Sequence, residues 1–304
     1  MKNILVIGGS YFAGKVFVEE IMKQQDYQIY VMNRGNRPLH FEGVTEIICD
    51  RKDVIGITRS VPELSWCAVV DFCAYVPDDV ETIVNVLPGS IEHYIYISTT
   101  SIYEDSLDLP IREDAPKLAG PQTELGSYGN YAFDKWCTEL KLTEKCGEKG
   151  IPCTSLRPAI IYGKYNYAPR ESYFFDLILN NKTVILPDIE LALFQFVSVW
   201  DVAEILIECL GNEKVFNNAY NLSAPELVSY RRLVKVLEEI TGKRIGTRKL
   251  NIPMINQKQI PLPFPLDQHL IYSGELIQRV LNFQYTPFVE GMRKTFEHYC
   301  VSID

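Results

Sequence analysis

The sequence YAFDK at positions 131–135 combines a phenol and an ammonium at a spacing suited to acid–base chemistry. Residues four apart lie one turn apart on the same face of a helix. The phenol of a free tyrosine has a pKa of about 10, and a nearby ammonium stabilises its phenolate and lowers that pKa. Tyr131, paired with Lys135, could then exchange a proton with a carbinol at neutral pH. Tyr128 has no lysine four residues later, so Tyr131 is the candidate acid/base.

A glycine-rich turn near the N-terminus could hold a phosphate. The sequence GGSYFAG at positions 8–14 follows an apolar run. Between a strand and a helix, such a turn brings backbone N–H groups to a pyrophosphate at the positive end of the helix. Tyr11 stands where the middle glycine is usual, so we expect its side chain to project away from the phosphates while its backbone N–H faces them. The expected nucleotide contacts in this turn are Gly8, Ser10, Tyr11, Phe12 and Gly14.

The end of the second apolar run bears on the choice of nucleotide. Enzymes that select NAD usually have an acid here, which bonds the ribose 2′-hydroxyl and would repel a 2′-phosphate. This position holds the neutral Asn33, followed by Arg34, whose guanidinium suits a phosphate. The sequence therefore predicts NADP or NAD as cofactor, with NADP bound at least as well. A solvated loop arginine is the alternative.

These residues lie between short apolar runs that alternate with helical stretches. The runs carry almost no charge, as is typical of strands covered on both faces. The candidate strands are Asn3–Ile7, Gln28–Met32, Thr45–Cys49, Ala68–Phe72, His93–Ser98 and Cys153–Arg157. The candidate helices between them are Phe12–Lys23, Asp78–Leu87 and Tyr131–Cys146. This alternation predicts an α/β fold of the Rossmann type, with a doubly wound parallel sheet.

The regular alternation ends near residue 163, which predicts a smaller C-terminal lobe that binds substrate. A further strand is expected at 194–199, a helix at 201–210 and a short strand at 219–222. The tail contains an expected helix at 229–241, a proline-punctuated stretch and a last helix at 287–299. We therefore assign 1–163 and 194–222 to the nucleotide-binding domain, and 164–193 and 223–304 to the smaller lobe.

Several of these segments are similar to one protein family. The Tyr–Lys pair follows the fifth strand by about thirty residues, and that strand ends in the Ser/Thr-rich sequence STTSIY at 98–103. The sequences LRPAIIYG at 156–163 and FVSVWDVA at 196–203 resemble further family landmarks. Over nearly its whole length the chain resembles the extended short-chain dehydrogenase/reductases, in their NAD(P)-dependent epimerase/dehydratase-like form. The bulky residue in the glycine turn resembles one branch, in which some members have lost catalysis and some are RNA-associated.

The resemblance implies roles for particular residues. Thr99 would donate a hydrogen bond to the substrate oxygen beside Tyr131, and Lys135 would also bond the nicotinamide ribose. Asp50, followed by Arg51, would bond the adenine amino group. Further cofactor contacts would come from Cys73, Ala74, Tyr75, Pro158 and Ile160. Substrate contacts would come from Tyr75, Thr99 and Arg170, the last as a partner for an anion such as a pyrophosphate.

Composition argues against several classes of partner. The net charge of −9 and the pI of about 5.1 disfavour sequence-independent binding to nucleic acid or to an anionic membrane. The eight cysteines form no C-x-x-C pair, and cysteines and histidines are not clustered at zinc spacing, so no metal is expected. No apolar run is long enough for a signal peptide or a membrane span. A cytoplasmic protein is expected, and a homodimer is one state open to it.

The expected function is hydride transfer at a carbinol or carbonyl carbon, with a sugar nucleotide as the expected substrate. Sugar-nucleotide dehydratases of this family carry an acidic pair directly after the catalytic threonine. Here those positions are Thr100 and Ser101, so dehydration is disfavoured and epimerase or reductase remains. Two alternatives stay open: a reductase of another small carbonyl compound, and a non-catalytic nucleotide-sensing or RNA-associated protein.

Overall fold

A computed structural model describes residues 1–303, with strands and helices alternating along most of the chain. The strands are β1 (Lys2–Ile7), β2 (Tyr27–Asn33), β3 (Val44–Ile48), β4 (Leu64–Asp71), β5 (Gly89–Ile91), β6 (Tyr94–Ile97), β7 (Cys153–Pro158), β8 (Ile160–Tyr162), β9 (Val184–Pro187), β10 (Phe196–Ser198), β11 (Asn218–Leu222) and β12 (Thr247–Leu250). The helices are α1 (Phe12–Ile21), α2 (Val54–Ser60), α3 (Pro77–Val86), α4 (Tyr131–Lys149), α5 (Glu171–Leu179), α6 (Val199–Cys209), α7 (Tyr230–Thr241), α8 (Ile252–Gln257), α9 (Glu275–Leu281) and α10 (Phe288–Ile303). Short 3-10 turns span Thr100–Ile102, Thr123–Tyr128 and Glu213–Val215.

The main sheet is parallel and doubly wound. Its strand order is β11-β7-β6-β4-β1-β2-β3, with β5 paired to β4, and each of these pairings is parallel. The strand order reverses between β1 and β4. In sheets of this kind, ligands bind beyond the carboxyl ends of the strands at that reversal. The predicted fold class is confirmed.

Two cores, one on each face of the sheet, fix its position. Alternate residues of β1 point to opposite faces, so Ile4 and Val6 belong to one core while Leu5 and Ile7 belong to the other. Helices α1 and α6 pack together on the first face, and α3 and α4 pack together on the second. The loops that follow the strands are thereby held at one edge of a rigid layer.

The six strands predicted for the first half are present, although β4 begins at Leu64 rather than Ala68. Helix α2 was not predicted, and neither were β5, β8, β9, β12, α5, α8 and α9. Strands β8 and β10 form one small parallel sheet, and β9 and β12 form another. A third core, rich in phenylalanine, joins α5, α7 and α10. The division of the chain at 163, 194 and 222 remains a prediction.

Candidate active site

The glycine turn has the geometry needed to receive a phosphate. Gly8 has a φ of +85°, in the region that favours glycine. A Cβ on Gly14 would lie 2.6 Å from the Gly8 carbonyl oxygen, so only glycine allows α1 to approach the turn this closely. Tyr11 is the N-cap of α1 but makes no side-chain cap bond, and the first turn contains no acidic residue. The helix N-terminus is therefore open to an anion.

A cleft of about 910 Å³ runs from this turn across the carboxyl ends of the central strands. Its volume is at the upper end of the range for ligand pockets, about 300–1,000 Å³. The Ser98 hydroxyl lines the cleft and is buried without a hydrogen-bond partner within the described chain. Together with the glycine cradle, this unpaired polar atom fits an elongated polar ligand such as a dinucleotide. The cleft lies at the reversal of strand order, where sheets of this kind bind their ligands.

The part of the cleft around Asn33 differs from its sequence-based prediction in one respect. Asn33 ends β2 as expected, but its amide donates a 2.7 Å hydrogen bond to Glu46 of β3. Its carbonyl oxygen accepts a bond from the Gly35 N–H at 2.6 Å. A carboxylate therefore lies beside the neutral position, supplied by the neighbouring strand. Arg34 is exposed and lines the cleft, as does Asp50.

A buried ion pair lies at the centre of the site. Arg51 donates two 2.8 Å hydrogen bonds to Asp71 and a third, of 2.7 Å, to the Asp79 carbonyl oxygen. Burial alone would raise the pKa of Asp71, but the Arg51 guanidinium and hydrogen bonds donated by the Tyr94 hydroxyl and the Cys73 N–H hold it below its usual value. Arg51, predicted to contact the cofactor, borders the cleft but uses much of its bonding capacity inside the protein. The pair braces the end of β4 beneath the cleft.

The remaining predicted segment after β4 divides into two parts. Cys73 and Tyr75 line the cleft, whereas Ala74 is fully buried and does not. Burial raises the pKa of the Cys73 thiol to about 11, and the carboxylate of Asp71 adds to that effect. The thiol is therefore protonated at neutral pH and is not a nucleophile.

The three predicted catalytic residues all line the same cleft. Tyr131 is the first residue of α4, and 43% of its surface is exposed. Burial of its hydroxyl end raises its pKa, while a hydrogen bond with Thr99 and the charge of Arg170 oppose that rise. The protein groups therefore keep the phenol neutral, which differs from the lowered pKa expected from Lys135. A neutral phenol is the form that can donate a proton.

Thr99 is presented by the extended backbone that follows β6. Its hydroxyl accepts a 3.1 Å hydrogen bond from the Ser101 N–H and donates to the Ser101 hydroxyl at 3.2 Å. The side chain is almost fully buried, so its orientation is fixed by these contacts. Thr100 turns away and donates to the Pro158 carbonyl oxygen at 3.4 Å.

Lys135 lies one turn into α4 and exposes only 3% of its surface. Its ammonium donates to the carbonyl oxygens of Ile97, at 2.6 Å, and Ala74, at 3.0 Å. It also lies 4.3 Å from the centroid of the Tyr96 ring. Burial lowers its pKa to about 7, although the carboxylates of Asp71 and Glu139 oppose the shift. Lys135 is thus held rigidly at the base of the cleft with a pKa near neutrality.

A second buried ion pair holds α4 in register with the sheet. Glu139 lies one turn after Lys135 and accepts hydrogen bonds from the Arg157 side chain of β7 at 2.6–3.2 Å. Arg157 also donates to the Tyr103 hydroxyl at 2.8 Å, and that hydroxyl donates to Asn221 of β11 at 2.7 Å. This network ties α4 to β7, β11 and the segment after Thr99, and so fixes the spacing between the catalytic candidates.

Two further predicted residues lie beside the site, and one lies outside it. Pro158 and Arg170 line the cleft, but Ile160 does not, and its neighbours Ala159 and Ile161 do. The structure adds residues that motif reasoning did not select, above all Arg37 and Tyr167. Their loops come together only in the fold, and the only signal in the sequence was the Pro-, Tyr- and Asn-rich composition of 163–171.

Comparison with known proteins finds the family that the sequence resembles. The sequence model of the NAD dependent epimerase/dehydratase family matches residues 80–223. A chloroplast stem-loop binding protein of 41 kDa, form b, from Arabidopsis thaliana is 28% identical over 97% of this chain and 78% of its own. A dTDP-D-glucose 4,6-dehydratase from Mus musculus is 21% identical over 98% of this chain and 88% of its own.

Solved structures share the fold. A UDP-glucose 4-epimerase from Thermotoga maritima, crystallised with UDP-glucose, superposes with a TM-score of 0.77 at 19% identity, covering 99% of this chain and 100% of that one. A UDP-glucose 4-epimerase from Thermus thermophilus, in complex with NAD, superposes with a TM-score of 0.75 at 20% identity, covering 98% and 99%. None of the described helices is long and apolar enough to cross a membrane. The matched family model, the doubly wound sheet and the Tyr–Lys pair together make the chain similar to the NAD dependent epimerase/dehydratase family.

Proposed function

We propose that this protein is an NAD(P)-dependent enzyme that transfers hydride at a carbinol or carbonyl carbon of a sugar nucleotide, with Tyr131 as the general acid/base. The observation that carries the proposal is the meeting of Tyr131, Thr99 and Lys135 in the cleft that begins at the glycine turn. A nicotinamide cofactor, when bound there, supplies the hydride acceptor. The turn at 8–14, the open N-terminus of α1 and the unpaired Ser98 hydroxyl are the groups that would hold it.

The residues of the chain then have distinct tasks. Tyr131 exchanges the hydroxyl proton of the substrate carbinol, and Thr99 hydrogen-bonds the same oxygen. Lys135, one helical turn from Tyr131 and with a pKa of about 7, can carry a positive charge at the base of the same cleft when a proton must leave Tyr131. Arg170 lies close enough to Tyr131 to affect its pKa, so it can meet a substrate anion at the same end of the cleft.

The description of the matched family names two activities, epimerisation and dehydration. Dehydration fits this chain less well than epimerisation or reduction. Removal of water across two carbons needs an acid/base besides the tyrosine. The two positions after Thr99 hold Thr100 and Ser101, and neither can act as a carboxylate. Thr100 is also buried, with its hydroxyl directed to the Pro158 carbonyl oxygen.

RNA binding is the second candidate, because the 28% identical relative is described as a stem-loop binding protein. The net charge of −9 weighs against it, since RNA backbones are bound mainly through Lys and Arg. A salt titration of binding to a radiolabelled stem-loop RNA would test it. Binding tighter than about 10⁻⁶ M at physiological salt would exceed ordinary non-specific affinity and favour this second function.

The main test is a comparison of two tyrosine variants. Tyr131→Phe should keep the fold and nearly all cofactor affinity, and should lower turnover by about two orders of magnitude or more. Tyr128→Phe is the matched control, because Tyr128 is 78% exposed and lies three residues earlier. Thr99→Val should show a smaller loss than Tyr131→Phe. Turnover near the wild-type value in Tyr131→Phe would remove the assignment.

The substrate class is tested by binding. Cofactor-loaded protein would be screened by thermal shift against sugar nucleotides and against small phosphorylated or acidic carbonyl compounds. We expect a sugar nucleotide to raise the melting temperature through mass action. A rise with a small carbonyl compound and none with any sugar nucleotide would instead favour a reductase of that compound.

A further inference from the structure

Three side chains from separate parts of the chain stack at the cleft. The Tyr11 and Tyr167 rings are nearly parallel, with centroids 4.8 Å apart and 19° between their planes. The Arg37 guanidinium carbon lies 4.0 Å from the centroid of the Tyr11 ring. We call Arg37, Tyr11 and Tyr167 the aromatic strap. All three line the cleft that contains the glycine turn and Tyr131.

The position of the strap relates it to the expected pyrophosphate. Tyr11 is the N-cap of α1, at the helix end that is open to an anion. Arg37 comes from the loop after β2, and Tyr167 comes from the loop between β8 and α5. The strap therefore connects the glycine turn, through Tyr11, to two loops that follow different strands. A dinucleotide seated on that turn would lie in the cleft that side chains from both loops line.

The loop that carries Tyr167 is itself anchored. Lys164 and Tyr165 bind Glu19 of α1 at 2.8 and 2.7 Å. At the other end, Glu171 is buried and accepts a 2.9 Å bond from the Gly163 N–H. Tyr167 lies between these anchors with 64% of its surface exposed, and Phe12 meets its ring edge-on at 5.9 Å. Stacking, rather than burial, is what holds the Tyr167 ring over the turn.

We infer that the aromatic strap retains the nicotinamide cofactor between turnovers, and that the enzyme therefore belongs to the redox-neutral, epimerising class. The inference rests on the proposed function and extends it. In such a reaction one hydride and one proton leave the carbinol and both return to the same carbon and oxygen, so no net oxidation occurs and no cofactor exchange is required. A reductase must release oxidised cofactor in every cycle, and the strap would have to open each time. Tyr11, in the place of the usual middle glycine, supplies the ring on which the strap is built.

The test is the rate at which reduced cofactor leaves the protein. The protein would be loaded with NADH or NADPH and chased with excess oxidised cofactor, while nicotinamide fluorescence is followed by stopped flow. Tyr167→Ala should release the cofactor at least about tenfold faster, which corresponds to about 1.4 kcal/mol. Tyr167→Phe keeps a stacking ring and should stay within twofold of wild type. Tyr128→Ala removes an exposed tyrosine outside the strap and should have no effect.

The outcomes separate the inference from the function on which it rests. Equal release rates in wild type and Tyr167→Ala overturn retention by the strap, even if the enzyme is active. Wild-type release faster than about 10 s⁻¹, the median turnover number of enzymes, overturns the redox-neutral assignment. A wild-type protein that binds neither NADH nor NADPH overturns the proposed function itself. Tyr167 is exposed, so its substitution should leave the fold intact.

Discussion

Replacing Gly14 by alanine should separate cofactor binding from folding. A Cβ at this position would lie 2.6 Å from the Gly8 carbonyl oxygen and 3.1 Å from the Gly9 Cα. Carbon–oxygen contacts are normally about 3.3 Å or longer, so the turn and α1 must move apart by about 0.7 Å. Both obstructing atoms belong to the backbone, and no side-chain rotation can relieve the contact.

The expected cost follows from what that movement disrupts. A displacement of this size takes backbone N–H groups of the turn out of hydrogen-bond range of a pyrophosphate. Hydrogen bonds to charged groups contribute about 1.5–3 kcal/mol, so the loss of one should weaken cofactor binding by roughly 10- to 100-fold. Overpacking should cost about 1–3 kcal/mol of folding stability, and the better helix propensity of alanine should offset up to about 1 kcal/mol of it.

Gly147→Ala is the matched control, because Gly147 lies inside α4 and a Cβ there would meet no heavy atom of another element within 4 Å. The same chemical change should there stabilise the protein by about 0.5–1 kcal/mol and leave cofactor affinity unchanged. Calorimetric titration with NAD and NADP measures affinity, and urea denaturation measures stability. If Gly14→Ala binds either cofactor within twofold of wild type, the turn does not hold the pyrophosphate as we argue.

Three further predictions concern other parts of the site. Folding lowers the pKa of Lys135 from 10.5 to about 7, so the unfolded chain binds more protons between these values. The free energy of unfolding should therefore rise with pH across that window, by at most about 5 kcal/mol. Lys135→Met should remove this slope of unfolding free energy against pH. An unchanged slope in urea denaturation of the variant would contradict the lowered pKa of Lys135. NADP should bind at least as tightly as NAD, and Arg34→Ala should weaken the binding of NADP alone. If calorimetry shows that NAD binds more than tenfold tighter, a difference of about 1.4 kcal/mol, the Arg34 side chain contacts only solvent. Glu139→Gln should cost about 3–5 kcal/mol of stability, because it leaves the Arg157 charge buried without its partner. Glu144→Gln, on the exposed face of the same helix, should have a much smaller effect. Similar costs for the two would show that the buried pair contributes little.

The short elements outside the main sheet could not be predicted from local pattern. Helix α2 has the sequence VIGITRS, whose β-branched residues and glycine give little helix signal, and it begins where the Asp53 side chain caps the Gly56 N–H. Strand β12, Thr247–Leu250, is mostly exposed and charged, and it is a strand only because β9 lies beside it. Pairing between segments about sixty residues apart leaves no periodic signature in either one.

At the site, too, the residues could be predicted from the sequence but their long-range contacts could not. The YAFDK spacing predicted Tyr131 and Lys135 on one helix face. The resemblance of the segment after the fifth predicted strand, which is β6 in the structure, to the family sequence selected Thr99. The sequence could not show that Asn33 donates a hydrogen bond to Glu46 of a neighbouring strand, or that the Arg51 guanidinium is hydrogen-bonded to Asp71. Each of those contacts joins residues that are distant along the chain, and only the packed sheet brings them together.

By itself, the sequence determined the main strands of the sheet, the glycine turn and the pairing of Tyr131 with Lys135, because each depends on residues within a few positions of one another. The tertiary structure decided the electrostatics of those candidates. It buries the Lys135 ammonium against the Ile97 and Ala74 carbonyls and lowers its pKa, and it keeps Tyr131 a neutral phenol. It also assembled the aromatic strap from three loops. Burial and long-range stacking are properties of the folded chain as a whole, since they depend on which surfaces meet after the sheet has formed.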